Sequence, residues 1–461
     1  MIQRYAKLQP LLHHLEQHRI TPIFVGGCVR DHLLGQESLD IDIELYGVRD
    51  SASLTDVLKP FGKVNEVGKS FGVYKLRYGG YTIDLSLPRT ENKSGEGHRG
   101  FEVQTYSDLE FAAAAQRRDF TINAIGYNPQ TLEFLDPYNG EKDLRSKRLA
   151  CVDPSTFVED PLRVLRAVQF AARFELVCDP DLLTLCHTMI AQGALQELPK
   201  ERIFEEIKKL LLLSQKPSIG LELLRRMGGL PFFSPLDCLE NTPQDSTSHP
   251  EGCVWAHTLM ALDVMARLRI QDPKRDLPRM FAVLLHDCAK PITTVIDHGI
   301  IDAPHHPQIG VEIAQTFLSR ITDEQGLIDT ILPLIRYHRA PRKLYAAHAT
   351  PADILRLSTL VRIDDLIAVS KADFYGRSFD GTLSTQFQAG EWLYSQALEL
   401  GVLSSPPKAL LMGRDLIESG LKPSPSFSII LNSAYNAQLN QEFFTKQEAL
   451  TWLKKYLVIA L

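Results

Sequence analysis

Residues 24–45, Phe-Val-Gly-Gly-Cys-Val-Arg-Asp-His-Leu-Leu-Gly-Gln-Glu-Ser-Leu-Asp-Ile-Asp-Ile-Glu-Leu, confine the start of this chain to a strand, a glycine turn, a helix and a second strand. Asp40 and Asp42 alternate with Ile41 and Ile43, so a strand puts both carboxylates on one face and both isoleucines on the other. Carboxylates placed in this way can hold one or two Mg²⁺ ions, which clamp a triphosphate and activate an attacking hydroxyl. Gly26 and Gly27 end the apolar run 23–25 and precede a helix expected from near Val29, so backbone N–H groups there can approach phosphate closely. Arg30 adds a fixed cationic fork for the same phosphates. A lone Gly-Gly is usually an ordinary turn, and a lone Asp-x-Asp says little more. Their combination within one short segment is the informative feature.

A chain of 461 residues has room for roughly three domains. Short strands are expected over 23–25, 41–45, 73–77 and 82–87, with glycine turns such as Tyr78-Gly79-Gly80-Tyr81 between them, so residues 1–150 read as α/β. From about 155 the period becomes helical. Leu162, Leu165, Val168 and Phe170 give one packed helix, and 203–213 another with Glu205, Glu206, Lys208 and Lys209 on its wet side. Residues 235–252, rich in Pro, Ser, Thr, Asp and Asn, read as the clearest linker, with a weaker break at 401–407. The expected division is 1–150, 151–235, 250–400 and 401–461.

Seven cysteines without a Cys-x-x-Cys pair suggest a reducing compartment. No apolar run reaches the roughly 20 residues of a membrane span, and Met1-Ile2-Gln3-Arg4 does not open a signal peptide, so no membrane partner and a cytoplasmic location are expected. The net charge of −6 is not that of a nonspecific nucleic-acid binder, so an RNA partner requires a local basic face.

The 24–45 segment resembles the nucleotidyltransferase head of the bacterial tRNA nucleotidyltransferases (CCA-adding enzymes) and their poly(A) polymerase relatives. Arg117-Arg118-Asp119-Phe120-Thr121-Ile122-Asn123-Ala124 is similar to the family's second motif, and 159–167, Glu-Asp-Pro-Leu-Arg-Val-Leu-Arg-Ala, to the motif that selects the base. The resemblance implies that Gly26, Gly27, Arg30, Arg118, Asp119 and Asn123 bind the incoming nucleotide, with its ribose told apart by the 2′-OH. It implies Mg²⁺ on Asp40 and Asp42, with Asp84 a candidate third carboxylate. Taken alone, Arg118 and Asp119 also suit a solvated salt pair, Asn123 a cap, and Asp84 an exposed strand position.

Asp160 and Arg163 lie three apart, so on a helix they share a face and offer a paired edge of acceptors and donors to cytosine or adenine. The competing reading is a surface ion pair. Arg166 and Arg173 continue the spacing, whereas Gln169 stands where many family members carry arginine, which leaves one auxiliary contact open. Residues 89–101, polar and glycine-rich through Lys93, Gly95, Gly97, His98, Arg99 and Gly100, read as mobile. In the resembled family a flexible loop at this place helps the switch from CTP to ATP.

A second chemical block follows. His257, His286-Asp287, His306, His338 and Asp373 fall on segments that read as helices, and each is a competent ligand for a divalent transition metal. A lone histidine is more often structural, but a carboxylate beside an imidazole at the end of the apolar run 281–285 requires a partner that a metal would supply. The block is similar to the HD phosphohydrolase superfamily, with His249-Pro250-Glu251-Gly252 and Ala372-Asp373-Phe374-Tyr375-Gly376-Arg377 adding to the match. His305 competes with His306, which fits better by its spacing to Gly310. The resemblance implies a divalent ion (Mn, Ni, Co, Fe or Mg) and phosphatase or 2′,3′-cyclic phosphodiesterase chemistry.

The expected fold is therefore α+β: a small mixed-sheet nucleotidyltransferase head, then an all-helical neck, HD body and tail. The expected activity is CCA addition to tRNA 3′ ends from CTP and ATP. A partial A-adding or CC-adding enzyme, a poly(A) polymerase, and an HD phosphohydrolase with a nucleotide-sensing head are the alternatives, and a non-catalytic RNA-binding scaffold fits least. Oligomeric state is open.

Overall fold

The computed structural model describes residues 1, 3–48, 51–67, 73–93, 101–105, 109–377 and 386–460. The chain divides into two compact units, Met1–Phe232 and Phe233–Leu461.

Alternating side chains build the sheet of the first unit. Its strands are β1 (Thr21–Val25), β2 (Asp40–Tyr46), β3 (Asn65–Val67), β4 (Val73–Tyr78), β5 (Tyr81–Ser86), β6 (Arg89–Lys93), β7 (Phe101–Thr105), β8 (Gly126–Asn128) and β9 (Glu133–Leu135). Seven of them form one sheet in the order β3-β4-β5-β2-β1-β8-β9. The β2–β5 pairing is parallel and the β1–β2 and β4–β5 pairings antiparallel, so the sheet is mixed. Ile41, Ile43 and Leu45 point from β2 into a core with Phe24, Leu76, Ile83 and Leu85, closed by Leu11 and Leu15 from α1 (Gln9–Gln17). Burying each such side chain contributes roughly 1.5–3 kcal/mol, which fixes the register that leaves Asp40 and Asp42 on the open face. β6 and β7 pair as a separate antiparallel ribbon. Of the stretch expected to be mobile, residues 94–100 lie outside the described residues, and its flanks are these two strands.

Helices follow. α2 (Gly27–Leu33) leaves the glycine turn, and α3 (Leu162–Phe174) and α4 (Lys200–Leu213) pack through Leu165, Val168, Ile203 and Ile207. Glu206 departs from the expected wet face: it is buried, 2.8 Å from Lys209 Nζ, and its charge favours the guanidinium of Arg166.

The second unit is mainly helical, with α5 (Val254–Arg267), α6 (Pro273–Leu285), α7 (His306–Ile321), α8 (Gln325–Tyr337) and α9 (Ile363–Tyr375) around its core. Arg275 and Arg279 of α6 reach Asp365 at the start of α9, joining the two helices that carry or adjoin the candidate metal ligands. Leu416, Ala434, Phe443 and Leu453 form a separate terminal core. The segment 235–252 is not a free linker. It contains a 3₁₀ turn, Leu236–Leu239, and buries His249 and Glu251 against His257, because Thr242, Gln244, His249 and Glu251 turn to the interior of this unit while Asn241, Ser246, Thr247 and Ser248 face solvent. No helix among the described residues is long and apolar enough to cross a membrane.

Candidate active sites

The first site is built where β1, β2 and β5 lie side by side. Asp42 is in register with Val25 on one neighbour and Asp84 on the other, so Asp40, Asp42 and Asp84 form one carboxylate group. Asp84 Oδ2 accepts a hydrogen bond from Lys75 Nζ at 2.9 Å, and its Oδ1 is buried with no partner. Desolvation among its neighbours, with Asp84, Asp40 and Glu44 adding repulsion against the pull of Arg118, raises the Asp42 carboxyl above the usual range. Mutually repelling carboxylates with an unused buried oxygen fit a hard divalent cation, which reverses that repulsion.

Gly26 faces this group. Its φ of +68° and ψ of −132° suit glycine, and a Cβ there would stand 3.0 Å from Arg118 Nη1 and 3.4 Å from Asp42 Oδ2. The turn is therefore tight against the carboxylate and its counter-ion.

Arg118 is held by Glu44, the next residue on the same face of β2. Glu44 is fully buried and receives Arg118 Nη2 at 2.9 Å, Arg117 Nη2 at 3.0 Å and Tyr46 Oη at 3.0 Å. Burial opposes its charge, but the two guanidiniums hold its carboxyl below the ordinary value. Sequence reading passed over Glu44, although the strand alternation that paired Asp40 with Asp42 also includes it.

The remaining nucleotide-binding candidates join head and neck. Arg30 is buried, donating to Asp31 Oδ1 (2.9 Å) and Asn123 Oδ1 (2.6 Å), with its guanidinium 4.5 Å from the ring centre of Phe174. The fork expected to point at phosphate is turned toward the neck, because α3 supplies aromatic faces that sequence spacing does not reveal. Asp119 accepts from Asn123 Nδ2 (3.0 Å) and from Arg166 Nε (2.7 Å). Burial works against the Asp119 charge, but Arg166 and Asn123 keep its carboxyl below the usual range. Arg173 lies 3.9 Å from Asp31, and Gln169 is buried with Nε2 unpaired.

Asp160 and Arg163 do not share a helical face. Asp160 precedes Pro161, which disfavours the α region for the residue before it, and α3 begins only at Leu162. Asp160 instead caps that helix through Leu162 N (3.1 Å) and meets Arg202 Nη2 of α4 (3.0 Å). Arg163 donates to the carbonyls of Thr156 (2.7 Å) and Arg117 (2.6 Å).

The second site gathers residues from five helical segments. His257 lies on α5, His286 caps α6 and is followed by Asp287, His306 opens α7, His338 caps α8 and Asp373 lies on α9; all six are buried. His305 is exposed in a left-handed conformation, so His306 is the histidine turned inward. His257 Nε2 is 3.2 Å from Asp373 Oδ1 and 3.3 Å from His286 Nε2, while His306 Nε2 is 3.2 Å from Asp287 Oδ1.

The outer nitrogens explain how the imidazoles are aimed. His286, His306 and His338 donate Nδ1–H to the carbonyls of Val283, Ala303 and Ile335 at 2.7, 2.6 and 2.7 Å, which leaves each Nε2 with a lone pair. His257 Nδ1 lies 2.8 Å from Glu251 Oε1, an atom that His249 Nδ1 also approaches to 2.8 Å. Burial, with His286 and His306 nearby, pushes His338 down to about 3, so it is neutral at working pH. His306 Nε2 lacks a hydrogen-bond partner, and this donor set fits a divalent transition metal. Sequence reading passed over Lys290 and took Arg377 only as part of the 372–377 match; they lie three and four residues beyond Asp287 and Asp373 and pair with them at 2.7 and 2.8 Å. Their one-turn helical spacing was the available signal.

Comparison with known proteins follows the same division. Residues 23–150 match the poly A polymerase head domain, 179–236 the probable RNA and SrmB-binding site of polymerase A, and 254–373 the HD domain. The fold is similar to that of a Bacillus stearothermophilus CCA-adding enzyme in complex with CTP, with a TM-score of 0.68 at 20% identity over 100% of this chain and 99% of that one. A Thermotoga maritima CCA-adding enzyme complexed with tRNA gives 0.57 at 20% identity, over 96% and 93% of the two chains. Closer in sequence, a multifunctional CCA protein of Nitrosococcus oceani is 34% identical over 77% of this chain and 84% of its own length. That of Xanthomonas oryzae is 34% identical over 86% and 93%. Identity at that level along so much of both chains, on top of the shared arrangement of head and HD segments, shows that this chain belongs to the multifunctional CCA protein family.

Proposed function

We propose that the first unit adds cytidylate and adenylate residues to tRNA 3′ ends from CTP and ATP, releasing pyrophosphate, and that the second unit hydrolyses phosphate esters at an independent metal centre. The observation that carries the first part is the register of Asp40, Asp42 and Asp84 against the Gly26 turn and Arg118. Mg²⁺ held by Asp40 and Asp42 supplies Lewis-acid stabilisation of the departing pyrophosphate and of the attacking 3′-oxygen. The chain's own residues do the positioning. Gly26 and Gly27 let the triphosphate approach the backbone, and Arg118, anchored by Glu44, places a guanidinium beside it. Buried Asp119 and Asn123, with the partly exposed Arg166, form a network that positions the ribose. The α-phosphorus gains a bond to the tRNA 3′-oxygen and loses its bond to the pyrophosphate oxygen.

Asp160 and Arg163 are proposed to read the base. A carboxylate has about four lone-pair sites, so Asp160 can keep Leu162 N and Arg202 and still accept from an exocyclic amine. The amine is common to cytosine and adenine and absent from uracil.

In the second unit, His257, His286, Asp287, His306, His338 and Asp373 would hold a divalent transition metal, which would supply Lewis-acid activation of a water. In the hydrolysis the water oxygen bonds to phosphorus, the ester P–O bond breaks, and the proton lost by the water passes to the leaving alcohol. Lys290 and Arg377 hold Asp287 and Asp373 charged and in place.

The test is incubation with Mg²⁺ and labelled CTP or ATP, using tRNA ending at the discriminator base, at C or at CC. Completion of CCA on all three supports the reading. Long adenylate tails indicate a poly(A) polymerase, and label from one nucleotide alone a partial enzyme.

A further inference from the structure

Lys290, Arg339, Arg342 and Arg377 line the same cavity, of about 180 Å³, as Asp287, His306, His338 and Asp373. The four cations are not equivalent. Lys290 lies 2.7 Å from Asp287 Oδ2 and donates to Gln244 Oε1 at 2.6 Å, and Arg377 donates to Asp373 Oδ1 at 2.8 Å. Both are neutralised by carboxylates of the cluster. Arg339 and Arg342 have no carboxylate within ion-pair distance among the described residues. Arg342 rests 5.2 Å from the ring centre of Phe374, and burial, Arg377 and Arg339 disfavour its charge against the pull of Asp373. The cavity's other carboxylates, Asp245 and Asp302, accept backbone N–H groups from Ser248 at 3.0 Å and Ala303 at 2.8 Å.

One short segment creates this arrangement. His338 ends α8, Arg339 follows directly, and Pro341 in the first turn of the helix Ala340–Ala346 sets the corner that brings Arg342 to the same cavity. The exposed Arg339 and the partly buried Arg342, neither in ion-pair contact with a carboxylate among the described residues, stand beside a cluster of metal-ligand type and can together receive an anion with more than one charge.

We infer that Arg339 and Arg342 form an anion subsite that makes the second unit select phosphomonoesters over cyclic phosphodiesters. A monoester carries close to two negative charges at neutral pH and has three terminal oxygens. A cyclic diester carries one charge on two free oxygens, so it meets one guanidinium fork and leaves the other unpaired. This selectivity rests on the proposed hydrolase reading; the anion subsite itself does not.

Two measurements separate them. Inorganic phosphate binding to the full chain is titrated by calorimetry, with and without Mn²⁺, for the wild type, Arg339→Gln, Arg342→Gln and the double variant, each checked by circular dichroism melting. At least a tenfold rise in Kd for the folded double variant is expected, and an unchanged Kd for either folded single variant and the double overturns the subsite. With metal present, kcat/KM is then compared for a nucleoside 2′-monophosphate and a nucleoside 2′,3′-cyclic phosphate. The monoester is preferred by the wild type, and the ratio falls at least tenfold in the double variant. A wild-type preference for the cyclic ester, or a ratio the variants do not move, overturns the selectivity. Hydrolysis of neither ester sinks the hydrolase reading and the selectivity with it, while the phosphate titration still decides the subsite.

Discussion

Replacing Glu44 by Gln tests whether a buried carboxylate organises the nucleotidyl-transfer site through Arg118. Glu44 is fully buried and takes three contacts of 2.9–3.0 Å, two of them from guanidiniums. The Glu44→Gln change keeps the shape of the side chain but removes its charge, and hydrogen bonds to charged groups contribute about 1.5–3 kcal/mol each. Arg117 and Arg118 are partly exposed, so water recovers part of that loss, and a net cost of about 2 kcal/mol at pH 7 follows. The sign with pH is fixed. Glu44 has its carboxyl lowered from 4.5, so its contribution is present above that value and is lost as pH falls through the folded value. Urea denaturation followed at several pH values, reading the transition of the first unit, should show the variant less stable at pH 7 and converging on the wild type in acid. KM for CTP and ATP should rise together as Arg118 loses its anchor. Equal denaturation midpoints at pH 7, or a difference that does not shrink in acid, would show that the Glu44 charge does not hold Arg117 and Arg118.

Three further outcomes are expected. Gly26→Ala, which adds a Cβ 3.0 Å from Arg118 Nη1 at a φ of +68°, should cost about 1 kcal/mol of stability and lower nucleotide incorporation at least tenfold, measured by single-turnover kinetics. Asp365→Ala leaves the buried Arg279 without its main acceptor and should destabilise the second unit by about 3–5 kcal/mol, read from its thermal transition, with the first unit's transition unmoved. Asp160→Ala should narrow the preference for CTP over UTP by about 10- to 100-fold, the value of one well-formed pair of base contacts, measured as a ratio of kcat/KM.

The alternation of Asp40 and Asp42 with two isoleucines was readable because period two leaves one burial solution for β2. The histidines and aspartates of the second site were readable because few other uses suit them beside apolar helix ends. What escaped depended on partners distant in sequence. Arg30 faces Phe174 and Asn123, more than ninety positions away, and no local rule foretells that it is buried. Glu206 read as wet by its charged neighbours and is buried near Arg166. Asp160 is a different kind of miss, since Pro161 was visible and disfavours the helical conformation that a shared face with Arg163 needed. The polar run 235–252 showed the limit of composition, because His249 and Glu251 are polar for the sake of His257.

Asp42 and Asp287 are proposed to belong to two independent phosphoryl-chemistry centres. The direct measurement takes folded Asp42→Asn and Asp287→Asn proteins and assays each for CCA completion on tRNA and for metal-dependent phosphate-ester hydrolysis. Asp42→Asn should abolish nucleotide addition and retain hydrolysis, and Asp287→Asn should do the reverse. Loss of both activities in either folded variant would rule out two independent centres.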